Sequence, residues 1–320
     1  MTPVSSSPFH FDSLVWDWPI AIYLFLIGIS AGLVTLSVLL RCYRPALATS
    51  DSTLMRTTLL LAPGVIILGL LILVFHLTRP WTFWKLMFHY SFTSVMSVGV
   101  MLFQVYMAVL VVWLAKIFDQ QLIGLQQRWL PKLRILPAVL ARLTPLMKTL
   151  DIVMLVLAVM LGAYTGFLLS ALKTYPLLNN PILPILFLFS GISSGAAVAL
   201  IAMTLRARRN PHSEEAHFIH RLETPIVWLE IFVLFAFFIG LALGDEGKHR
   251  ALINALAGGF WATWFWVGVV GIGLVAPLLL KSWANRWHSP YGVLAVSGMS
   301  LTGVLLLRFF ILYAGQLTVV

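Results

Sequence analysis

The chain has 320 residues, of which 60% are hydrophobic and only 10% charged, with a mean hydropathy of +0.96; soluble domains carry roughly 25% charged residues. So much apolar surface excludes a water-soluble fold. The formal net charge of +10 does not point to nucleic acid, because the basic residues sit in connections between apolar runs and not on one polar face.

A helix that crosses a bilayer needs about 20 consecutive apolar residues, since no water is at hand to satisfy its backbone. Eight such runs occur, at 18–40, 57–77, 91–115, 151–171, 182–205, 225–244, 260–280 and 291–315, so the expected fold is an all-α polytopic membrane protein of one transmembrane domain. The acidic, aromatic stretch from Phe9 to Trp18 precedes the first run without a positive charge, so that run is read as a retained span and not a cleaved signal peptide. Pro63-Gly64, Pro184 and Pro277 fall inside runs, where neighbouring helices can satisfy the freed carbonyls. Gly28-Ile29-Ser30-Ala31-Gly32 and Ser190-Gly191-Ile192-Ser193-Ser194-Gly195 are small enough to let helices approach closely. The longest connection begins at Lys116, is broken by Pro131, Pro137 and Pro145, and reads as an amphipathic surface segment. The spans are expected to split into a four-helix front bundle and a looser rear group.

Lysine and arginine follow a topology. The odd-numbered connections hold Arg41, Arg44 and Arg56, then six residues from Lys116 to Lys148, four from Arg206 to Arg221, and Lys281 with Arg286. The even-numbered ones hold Arg79, Lys85, Lys173, Lys248 and Arg250, and the tails hold none. The positive-inside rule therefore places both termini on the outward face; with the family resemblance given below, that face is expected to be the periplasmic side of a bacterial inner membrane. Trp16, Trp18, Trp81, Trp84, Trp261 and Trp264 lie near span ends and are expected to form an aromatic belt.

Cys42 is the only cysteine, so no cysteine-held cluster can be built within the protein. The eight histidines lie in tails, connections or at span ends, with no mid-bilayer pair to hold a haem, and no Walker loop, nucleophile motif or HExxH pair is present. No metal site is expected. Within the spans, Glu230 and Arg308 are the costly ionisable groups and so are candidates for function, or for a structural bond between helices. The connection after the second span is crowded with donors: His76-Leu77-Thr78-Arg79-Pro80, Phe83-Trp84-Lys85, His89 and Thr93-Ser94-Val95-Met96-Ser97. Such a set can hold a ring bearing polar oxygens, although the residues alone favour an interfacial loop held by tryptophans. Tyr164 lies about 20 Å from the inward start of the fourth span; Tyr23 and Arg308 reach a similar depth in the outer half.

In this order, on eight spans, these pieces resemble the NrfD/PsrC family of membrane subunits over essentially the whole sequence, nearest to its NrfD branch. The matching residues are Trp16-Asp17-Trp18 with the glycines of the first span, His76 through Pro80 with Phe83-Trp84, Thr93 through Ser97 with Gly99, Tyr164 through Leu169, Pro184 through Leu188 with Ser190-Gly191, and Arg308 through Gln316. The resemblance implies a quinol-oxidising subunit, with menaquinol the expected substrate. Electrons would pass to a ferredoxin-like iron–sulfur subunit on the outer face and indirectly to a cytochrome c and a nitrite reductase. It further implies that Tyr164 contacts a quinone oxygen. An early-helix histidine of the polysulfide branch is replaced by Tyr23, leaving His76 or His89 to accept a proton; Arg79, Lys85 and Arg308 are expected beside the headgroup or the partner. Two other readings stay open: an inert anchor for the iron–sulfur subunit, and a secondary transporter using Glu230 or Asp151.

Overall fold

The computed structural model describes residues 7–77, 79–129, 135–206, 214–280 and 290–319. Thr78, Pro131, Lys132, Arg134, Arg208, Arg209, His212, Lys281, Arg286 and His288 lie outside the described residues. Among the described residues, eight helices are long and apolar enough to cross a membrane: α1 (Trp18–Tyr43), α2 (Thr53–His76), α3 (Val95–Ile117), α4 (Met147–Ser170), α5 (Leu183–Arg206), α6 (Glu214–Ala242), α7 (Gly259–Leu280) and α8 (Pro290–Gln316). Most ends fall within a few residues of the apolar runs. The exception is α6, whose first turns carry Glu214, Glu215, His217 and His220 and extend the helix beyond its hydrophobic stretch. Glu215 puts this extension to use, accepting hydrogen bonds from the Thr53 and Leu54 amides at 3.0 and 3.3 Å and so capping the start of α2.

Helices α1 and α5 form the middle of the bundle. α1 packs against α2, α4, α5 and α8, while α5 also touches α6 and α8. The expected front and rear groups therefore share α5 instead of dividing cleanly. The α1–α5 contact is made by glycines: a Cβ on Gly32 would lie 2.2 Å from the Gly191 carbonyl oxygen, and one on Gly195 would lie 2.5 Å from backbone atoms of Gly32 and Leu33. Without a hydrophobic force between helices in lipid, such close packing is a main source of association. In α7, Trp264–Val275 is π-helical, and Gly273 on that stretch meets Gly303 of α8. The long third connection contains helices Asp119–Trp129 and Ile135–Leu143, each with exposed residues on one side, and the second turns Leu140 into the protein.

The N-terminal arm and the end of α8 are clamped together. Gln316 Oε1 accepts from the Val15 and Trp16 amides, both at 2.9 Å, and its Nε2 donates to the Trp16 and Leu312 carbonyls at 2.8 and 2.9 Å. Ser13 Oγ donates to the Gln316 carbonyl, and Tyr175 Oη donates to the Ser13 carbonyl. Trp261 belongs to this clamp and not to a lipid-facing belt: it is buried, stacks on Tyr313 at 5.1 Å and donates its ring N–H to the Pro8 carbonyl. Trp18, Trp81 and Trp84 are exposed. Gln316→Ala is expected to leave these backbone groups without partners, at about 1–3 kcal/mol for the group left buried and unsatisfied. Limited proteolysis should then cut the arm before Trp18 far faster than in the parent protein.

Candidate functional site

A cavity of about 410 Å³ lies near the predicted polar groups, between α1, α2, α3 and α4, within the range of ligand sites. Its walls are apolar, built by Ile67, Leu70 and Leu71 of α2 and by Met96, Val100 and Met107 of α3. Tyr23 of α1 and Tyr164 of α4 supply polar atoms on its inner wall. Both side chains are buried, and among the described residues neither hydroxyl makes a hydrogen bond. Tyr106, by contrast, is satisfied: its hydroxyl lies 3.0 Å from Ser30 Oγ, which donates to the Ala62 carbonyl. Two phenols that lack a protein partner and line the same largely apolar space mark where a ligand's oxygens would be recognised.

Local structure places both phenols. Tyr23 lies about 8 Å from the start of α1 and Tyr164 about 9 Å from the end of α4, which runs the other way. Phe103 of α3 stands between them, its ring centre 6.0 Å from that of Tyr23 and 6.1 Å from that of Tyr164. Gly99, one turn before Phe103, makes room for the second phenol: a Cβ there would lie 1.8 Å from Tyr164 Oη. The cavity is roofed by Phe83 and Met87 of the short helix Phe83–Phe88. Gln104 of α3 holds that helix, donating to the Met87 carbonyl at 3.0 Å and accepting from Tyr90 Oη at 2.5 Å. Gln104 also lines the cavity itself, whereas Gly99 acts through Tyr164, and spacing along one helix reveals neither role.

The other predicted residues do not line this cavity. His76 is at its rim, half-exposed, with Nε2 3.1 Å from Asp17 Oδ1; the adjoining residues Trp16 and Leu77 are part of the wall. His89, Arg79 and Lys85 are exposed on the connection, where Lys85 sits 5.9 Å over the Trp84 ring. Arg308 is wholly buried on the opposite side of α1, its guanidinium 3.7 Å over the Phe187 ring and bonded to the Phe187 carbonyl. Equal depth did not bring it to the tyrosines, because Tyr23 and Gly28, against which Arg308 packs, point about 140° apart around α1. Asp151 is tied up at the other membrane face: its oxygens accept from Arg41 Nε at 2.9 Å and from the Trp113 ring N–H at 2.7 Å.

The family described as polysulphide reductase, NrfD, matches residues 6–320. The chain belongs to the NrfD family. It is 73% identical to "Protein NrfD" of Escherichia coli (strain K12), covering 98% of this sequence and 99% of that one. It is 47% identical to "Protein NrfD homolog" of Haemophilus influenzae over 98% of both sequences. To the C subunit of polysulfide reductase of Wolinella succinogenes it is 38% identical over 96% of both. With eight apolar helices, this NrfD-family chain is a multi-pass protein of the bacterial inner membrane.

Proposed function

We propose that the chain is the membrane subunit of a respiratory reductase, in which it oxidises a quinol, menaquinol by expectation, in the α1–α4 cavity. The observation that carries this reading is the pair of phenols of Tyr23 and Tyr164, unpaired among the described residues, facing a space that is apolar apart from them and Gln104. A quinol has that shape, with hydroxyls at one end of an apolar body. The polysulfide reductase subunit among its relatives supports membership of a reductase complex.

Oxidation of a quinol releases two electrons and two protons. With one cysteine, exposed Cys42, the sequence offers no cluster site, so a ferredoxin-like iron–sulfur partner takes the electrons on the face that carries the termini, feeding a cytochrome c and a nitrite reductase. The exposed cations Arg79 and Lys85, with His89, fit a role in docking that partner. Asp17 and His76 at the cavity rim fit the role of first proton acceptors. By the distribution of Lys and Arg this face is periplasmic, so protons and electrons leave on the same side and turnover separates no charge.

The test is to fill the cavity from its lipid side with Val100→Trp and Leu71→Trp in the purified complex. Bound quinone and quinol-driven reduction of the partner's clusters are both expected to fall about tenfold or more, the loss of roughly 1.4 kcal/mol of binding, while the partner still co-purifies. Full retention of quinone and turnover would sink the reading and favour an inert anchor whose partner binds the quinone.

A further inference from the structure

A second polar site lies in the rear of the bundle and shares no lining residue with the α1–α4 cavity. Along α6, His220, Glu223, Val227 and Glu230 recur at steps of three and four residues and so share one face. His220 Nδ1 is 3.3 Å from Glu223 Oε2 and half-exposed, whereas Glu223 and Glu230 are buried. Counted along α6, Glu223 is about 13 Å and Glu230 about 24 Å from its start. Both carboxylates line a narrow cavity closed by Val269 and Gly273 of α7 and Ser300 of α8. Its volume, about 30 Å³, exceeds the 10–15 Å³ or so that one water requires.

The inner end of this cavity is electrostatically unusual. Ser193 of α5 lines the cavity beside Glu230, and Arg308 of α8 is near enough to act on its charge, yet among the described residues the two charged groups do not close an ion pair. Among the described residues, Arg308 Nε and Nη1 are buried without a hydrogen-bond partner. Ser297 Oγ, on the same helix, is also buried and unpartnered. Among the described residues no other charged group competes: α7 carries none, α5 carries only Arg206 at its end, and the charged residues of Glu246–Leu256, which packs on the far end of α6, are half-exposed or exposed. The π-helical stretch of α7 forms one wall, and such irregularities recur at functional sites.

We propose that Glu230 is a proton-binding site in the membrane core, loaded from the membrane face at the start of α6 through His220, Glu223 and water in this cavity. A proton from water on that face crosses to the Glu230 carboxylate, making it a neutral acid, and the positive charge of Arg308 is unchanged. The site is independent of the quinol reading: α1 and α5 separate it from the front cavity, which opens near the opposite face.

Infrared spectroscopy of the full-length protein in lipid nanodiscs tests the assignment. A carboxylic C=O band that titrates with pH should be present in the parent and absent in Glu230→Gln. Its hydrogen–deuterium exchange should slow about tenfold or more in Glu223→Gln and in His220→Gln, as expected when a proton relay is removed. Absence of any Glu230-dependent acid band across the pH range, or exchange unchanged in both relay variants, would overturn the proposal. A band that responds to sodium and not to pH would overturn it too. If Glu230→Gln fails to fold, the band in parent protein carrying isotope-labelled glutamate, with its exchange rate in His220→Gln, decides the matter.

Discussion

Gly99→Ala is expected to leave the bundle folded and to lower quinol turnover about tenfold or more, with Tyr164→Phe falling by a similar factor. The three nearest atoms to a Cβ at position 99 all belong to the Tyr164 side chain, the hydroxyl at 1.8 Å and Cζ at 1.9 Å. The far end of a side chain can rotate away at modest cost, so the change displaces the phenol rather than the helices. What is lost is a hydrogen bond to the substrate in an apolar cavity, on the order of 1–1.5 kcal/mol if neutral and more if charge develops on the oxygen. Gly99→Ala combined with Tyr164→Phe should be no slower than the worse single variant, because both changes remove the same hydroxyl from the same place. The measurement is quinol-driven reduction of the partner's clusters in the purified complex, with kcat and KM separated. Full activity in Gly99→Ala would mean that the phenol is not used, and additive losses would mean that Gly99 acts on something else.

Asp151→Ala is expected to be the most destabilising single change considered for the bundle. Arg41 and Asp151 are mostly buried, with side-chain exposures of 18% and 12%, and Asp151 is also the acceptor for the Trp113 ring N–H. Removing one partner of such a pair leaves a charge without compensation, at about 3–5 kcal/mol. Thermal unfolding in detergent, followed by size-exclusion chromatography, should show a large loss for Asp151→Ala. Arg41→Met with Asp151→Leu should recover much of it, since no lone charge remains. A stability equal to the parent's in Asp151→Ala would remove the structural role given to it here and restore it as a candidate for ion handling.

The two variants also separate what could be read locally from what could not. That Tyr23 and Tyr164 share a depth follows from counting residues at a constant rise along helices of opposite direction, so it was legible in the sequence. Arg308 passed the same count and lies elsewhere. Depth is a property of one helix, whereas azimuth depends on which neighbour each face meets. Asp151 was a candidate ion site because an acid near a span was unexplained, and its explanation is Trp113 and Arg41 on two other helices. His89, Arg79 and Lys85 were grouped with the site by adjacency along the connection, yet the short helix Phe83–Phe88 turns Phe83 and Met87 to the cavity and leaves Lys85 exposed.

Some packing was legible because its cause is local composition. The small-residue runs of the first and fifth spans announced a close approach, and Gly32, Gly191 and Gly195 make it. Gln316 stood in the sequence as one polar residue near a helix end, and nothing nearby indicated that its partners were Val15 and Trp16 at the other end of the protein.

By itself, then, the sequence determined a membrane protein of eight helices, the approximate ends of those helices and the depth of each polar group, because hydrophobic run length and helical rise act residue by residue. Only the tertiary structure decided that two tyrosines share a cavity, that Arg308 faces Glu230's side of the bundle, and that Gly99 and Gln104 shape a site they do not announce. Those facts depend on the rotation of each helix against its neighbours, which is settled by contacts between residues far apart in the sequence.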